Sequence, residues 1–90
     1  MKAPLIHLNG TSKDSLLEDI EEAYLALSNA LDKLRRMSPN PRDYYPLPGD
    51  AFQQAVDEHQ DRMQRVHLTQ SELQKMAEAI HDNQTEFSID

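Results

Sequence analysis

Cysteine and tryptophan are both missing from this 90-residue chain, and glycine occurs only twice. Without cysteine there can be no disulfide framework, no thiol nucleophile and no thiolate metal ligand. That composition suits a reducing compartment, and the expected location is the cytoplasm. Long apolar runs are missing as well. The opening Met1 to Leu8 reaches Asn9-Gly10 too soon for a signal peptide, and no later stretch approaches the ~20 apolar residues of a membrane span. Positive charge is scarce: nine Lys and Arg against sixteen Asp and Glu give a formal net charge of -7. Such a chain is repelled by phosphates, which disfavours direct nucleic-acid binding. No P-loop, dinucleotide fingerprint, zinc-protease motif or nucleophile elbow occurs. The sequence therefore predicts neither an enzyme nor a bound cofactor.

What the chain does have is a heptad. Phe52, Val56, His59, Met63, Val66, Gln70, Leu73, Ala77 and Ile80 follow one another at alternating spacings of four and three. A 3.5-residue apolar repeat lays one seam of a helix against another helix. The same pattern runs earlier through Leu17, Ile20, Tyr24, Leu27, Leu31 and Leu34. Beside it, Leu16, Ala23, Ala30 and Met37 form a second line at steps of seven. The first helix thus carries an apolar stripe wide enough for two neighbours, and its alanines permit close approach.

Boundaries follow from the turn residues. Residues 1–10 read as an extended arm, with Leu5 to Leu8 in a strand or laid over a helix and Asn9-Gly10 as a turn. A helix is expected over about 12–37, capped by Thr11 with Asp14 or, less well, by Ser12 with Ser15. Lys33, Arg35 and Arg36 near its end, with Arg42 just beyond, complement the negative end of the helix dipole. Pro39 and Pro41 stop the helix, because proline lacks the amide hydrogen and clashes with the preceding turn. The linker 38–49 is stiffened by four prolines and holds Tyr44, Tyr45 and Leu47, which suggests that it is tacked onto the helices. Asp50 is the expected N-cap of a second helix running to about residue 83. Thr69 with Glu72 is a second capping box at which that helix could break, although the unbroken heptad argues against it. The tail 84–90 is polar apart from Phe87 and Ile89 and is expected to fray.

Two long helices joined by a short linker predict a single all-α domain, an antiparallel helical hairpin with a short N-terminal arm. Two helices bury too little for independent stability. The off-seam residues Leu16, Ala23, Ala30 and Met37, with Ala55, Leu68 and Met76 on the second helix, call for a further neighbour. A homodimer forming a four-helix assembly is the expected arrangement, against a monomer completed by the arm and linker.

Candidate chemistry is sparse. His59 lies inside the seam, where a histidine is expected to bond a facing Glu, Asp or Gln, or to sit at a wet point; its functional reading is a register-setting or pH-sensitive contact. Glu78 and His81 form one E-x-x-H pair, whereas a di-iron site needs two such pairs and further glutamates, so a solvated helix face is expected and no metal site. The acidic clusters Glu18, Asp19, Glu21, Glu22 and Asp57, Glu58, Asp61 read as solvating faces or, alternatively, as a surface that imitates nucleic acid. Arg42, Asp43, Tyr44, Tyr45 and Leu47 are the candidate contact residues for another protein, since tyrosine and arginine on a rigid loop make a hot spot. They serve equally as a lid over the helices.

The opening Leu5-Ile6-His7-Leu8-Asn9-Gly10-Thr11-Ser12, the mid-helix Tyr24 and the loop Arg42-Asp43-Tyr44-Tyr45-Pro46 resemble a group of small proteins encoded by tailed phages and prophages. The resemblance spans most of residues 5–80 and carries no assigned activity. It implies a phage source and a role in virion assembly, in modulation of host machinery or in countering host defence. The expected function is that of a non-enzymatic, acidic protein–protein interaction protein that binds itself and an unidentified protein. The alternative is an acidic mimic that blocks a host nucleic-acid-binding or defence protein.

Overall fold

Helix α1 spans Lys13–Arg36 and α2 spans Ala51–His81, joined by a loop whose only regular feature is a 3-10 turn at Pro41–Asp43. The computed structural model describes residues 1–82, and no β-strand is present among them. The chain is an all-α helical hairpin. The expected tail 84–90 lies outside the described residues.

Three of the hydrogen bonds between the helices fix their direction and register. At the open end, Lys13 Nζ donates to the His81 carbonyl (3.2 Å). Midway, Gln70 Nε2 donates to the Tyr24 carbonyl (3.1 Å). Near the loop, His59 Nε2 meets the Leu34 carbonyl (2.7 Å). Each advance along α1 is matched by a nearly equal retreat along α2, so the helices run antiparallel with no slip between rungs. The heptad prescribes this arrangement: every seam position from Leu17 to Leu34 and from Phe52 to Ile80 is buried or half-buried.

The termini differ from expectation in instructive ways. Ser12, not Thr11, caps α1; its backbone is extended (φ -65°, ψ 153°) and its hydroxyl accepts from the Ser15 amide at 3.2 Å. Asp14 then lies in the first turn, beside the positive end of the helix. Asp50 occupies the cap of α2 but makes no side-chain capping bond. Its ψ of 34° departs from the extended value that aims a cap side chain at the amides of the first turn. Gly49 supplies the turn into α2 with φ +70°, a conformation costly for any residue with a Cβ. The capping box at Thr69 is not used. α2 continues through it, and the Thr69 hydroxyl bonds back to the Arg65 carbonyl (3.0 Å), satisfying itself inside the helix.

The arm forms no strand run between Leu5 and Leu8. Ile6 alone turns inward and is buried, while Leu5 and Leu8 are exposed. The expected turn is present, with the Gly10 amide donating to the His7 carbonyl (3.2 Å). A side chain on Gly10 would meet the far edge of the His7 ring at 2.6 Å, so that ring would have to swing aside.

The interior is thin. Ile6, Leu31 and Ile80 are the only apolar residues that are buried among those described, and of these Ile80 alone is fully so. The molecule measures 66 × 19 × 18 Å and exposes 6935 Å². Most seam residues are only half-buried, so the hairpin leaves part of its apolar stripe in water.

Candidate functional site

Two polar residues occupy seam positions that the heptad would give to apolar ones, and both are buried. His59 bridges the helices near the loop. Its Nε2 faces the Leu34 carbonyl at 2.7 Å, and Arg62 Nη1 lies 2.9 Å from its Nδ1. A carbonyl can only accept and a guanidinium can only donate. The tautomer that satisfies both carries its hydrogen on Nε2 and receives the Arg62 hydrogen bond on Nδ1. Leu34 lies in the last turn of α1, and its carbonyl already accepts from the Met37 amide (2.9 Å). His59 adds a second hydrogen bond to that carbonyl and so ties the end of one helix to the side of the other. The expected carboxylate or glutamine partner is replaced by this backbone group and by Arg62, one turn along α2.

Gln70 does the same at mid-length. Its side-chain amide gives one hydrogen to the Tyr24 carbonyl and the other to Ser28 Oγ (2.7 Å). Among the described residues, no buried side-chain nitrogen or oxygen lacks a partner. Polar groups in a seam fix register because any slip strands them without partners. Ser28 and Arg62 were not singled out by pattern. The available signal was Gln70 itself, an amide in an otherwise apolar repeat. A double-mutant cycle on Gln70→Ala and Ser28→Ala should give a coupling of about 0.5–1.5 kcal/mol in denaturant melts. Strict additivity would show that the pair is not formed.

The loop residues separate into two groups. Tyr44 is half-buried, with its ring 6.1 Å from that of Phe52 at 54°, and it acts as the expected lid over the start of α2. Tyr45 is 81% exposed, and Arg42, Asp43 and Leu47 are exposed with it. The 3-10 turn divides them in this way: the Asn40 side chain accepts from the Arg42 amide (3.0 Å), and the Tyr44 and Tyr45 amides both donate to the Pro41 carbonyl. The linker is folded into successive turns, so its two tyrosines face different surroundings.

The acidic groups also differ among themselves. Asp57 accepts from Gln53 (2.9 Å), Asp61 pairs with Arg65 (3.2 Å), and Arg62 lines the same shallow depression, so this cluster is partly compensated by its own helix. Exposed pairs of this kind contribute little to stability. On α1, Asp14, Glu18, Asp19, Glu21 and Glu22 are all exposed, and none makes a salt bridge among the described residues. His81 of the E-x-x-H pair is exposed and lies 3.5 Å from Asp82. No three potential metal-binding side chains converge among the described residues.

Apolar surface is the other prominent feature. Near the open end, Leu17, Ile20, Tyr24 and Ala77 line a shallow groove bordered by Glu21 and Gln74. No described helix is long and apolar enough to cross a membrane. No protein-family model matches the chain, and no curated protein or solved structure shows significant similarity to it.

Proposed function

We propose that this chain is a non-enzymatic protein–protein interaction protein of phage origin, working in the cytoplasm in virion assembly or in modulation of host machinery. The observation that carries this reading is the shortage of interior. With three buried apolar residues among those described, the hairpin leaves the rest of its stripe available to other protein surfaces. Its first partner is a second copy, giving a four-helix assembly. Its second is a protein that docks on the loop, where Tyr45, Leu47 and Arg42 stand out from the helices on a proline-braced turn. The phage origin rests on the resemblance of the arm and loop residues.

A second reading has one observation in its favour. The uncompensated carboxylates along the first half of α1 give a negative surface suited to a basic, nucleic-acid-binding protein. Capture from a bacterial host lysate by the wild type and by a Tyr45→Ala/Leu47→Ala variant separates the possibilities. The leading reading expects a partner held by the wild type and lost by the variant at unchanged helicity. Equal recovery of every partner by both would remove the loop from the account. A partner displaced by added DNA would favour the acidic mimic.

A further inference from the structure

We propose that the second copy docks antiparallel along α1, on the line formed by Leu16, Ala23, Ala30 and Met37, with its twofold axis beside Ala26. This rests on the dimer reading above and adds the face, direction and register. Ala23 and Met37 are exposed, Met37 to 65%, while Leu16 and Ala30 are half-exposed. Interleaved with them are Ile20, Leu27 and Leu34, which the α2 seam covers only in part. Taken in order, these seven residues alternate at spacings of four and three, a second complete heptad on the same helix.

The size pattern of this heptad is self-complementary when one copy is reversed. Setting Ala23 against Leu27 of the second copy brings Ile20 opposite Ala30 and Leu16 opposite Leu34. In two of these three layers a large side chain meets an alanine, which lets the helices approach closely without a void. A twofold contact repeats each pairing in reverse, so one favourable register is used twice.

Charge selects the same direction. The first half of α1 carries Asp14, Glu18, Asp19, Glu21 and Glu22 against Lys13 alone. The second half carries Lys33, Arg35 and Arg36 against Asp32 alone. A parallel dimer would set like charges side by side. The antiparallel one lays the acidic half of each α1 on the basic half of the other. In the stated register, Asp19 comes beside Lys33 of the second copy at both edges of the contact, and Ala26 comes beside its own counterpart. Opposed rim charges of this kind set orientation more than affinity.

The chain has no cysteine, so introduced thiols report this geometry without background. The full-length variants Ala26→Cys, Leu25→Cys, Asp19→Cys and Lys33→Cys are oxidised and run on non-reducing gels. Circular dichroism checks that each remains helical, and light scattering gives the mass of the wild type. Ala26→Cys should become a covalent dimer, while Leu25→Cys, at the same height on the opposite face, should not. Asp19→Cys and Lys33→Cys should each fail to link alone and should link when mixed. Self-linking of Asp19→Cys would establish a parallel dimer and overturn the proposal. An unlinked Ala26→Cys beside a dimeric wild type would place the contact elsewhere, overturning this inference and leaving the dimer reading intact. A monomeric wild type would remove both.

Discussion

Replacing Leu31 by alanine is expected to destabilise the protein by about 2–5 kcal/mol, the largest effect of any seam truncation on α1. Leu31 is only 3% exposed, and the other seam residues of α1 are half-exposed. Truncation there removes the full transfer free energy of the side chain and leaves a cavity that two rigid helices cannot close. Leu25→Ala removes the same atoms from an exposed position and should stay within about 0.5 kcal/mol. Urea melts at one fixed protein concentration compare the two, because association makes apparent stability depend on concentration. Equal, small effects would show that the Leu17 to Leu34 seam does not hold the hairpin together.

The second large effect is expected at His59. Phenylalanine in its place keeps the ring volume and adds apolar surface, which a purely hydrophobic seam would welcome. It also removes the second hydrogen bond to the Leu34 carbonyl, which keeps the Met37 amide, and takes away the acceptor of the exposed Arg62. A hydrogen bond of this kind contributes about 0.5–1.5 kcal/mol, and two are lost, so His59→Phe should destabilise despite its size and polarity. Nitrogen NMR of the wild-type imidazole should show the hydrogen on Nε2. A hydrogen on Nδ1, or a His59→Phe variant as stable as the wild type, would dissolve the proposed bond to Leu34.

Much of this fold was legible in the heptads. The alternating spacing of four and three placed Leu17 to Leu34 and Phe52 to Ile80 on facing seams, and Pro39 and Pro41 marked the turn between them. Ends were less legible. Thr11 and Ser12 both offer a hydroxyl, and only the extended backbone at Ser12 selects between them. Thr69 reads as a cap by composition, yet its hydroxyl is satisfied within the helix by Arg65, so continuity of the seam prevails. The polar rungs were half visible. Pattern placed His59 and Gln70 in the seam, but their partners include backbone carbonyls, which every residue type carries and no sequence advertises. Tyr44 and Tyr45 are adjacent and chemically alike; the turn at Pro41–Asp43 sends one onto Phe52 and the other into solvent.

The central claim is that the hairpin is an incomplete core finished by a second copy. Light scattering after size exclusion, across about a hundredfold dilution from micromolar concentration, tests it most directly. The account predicts a mass close to twice 10.4 kDa at the upper end, with melting that falls to lower temperature on dilution. A single 10.4 kDa species at every concentration, melting cooperatively at one unchanging temperature, would contradict it.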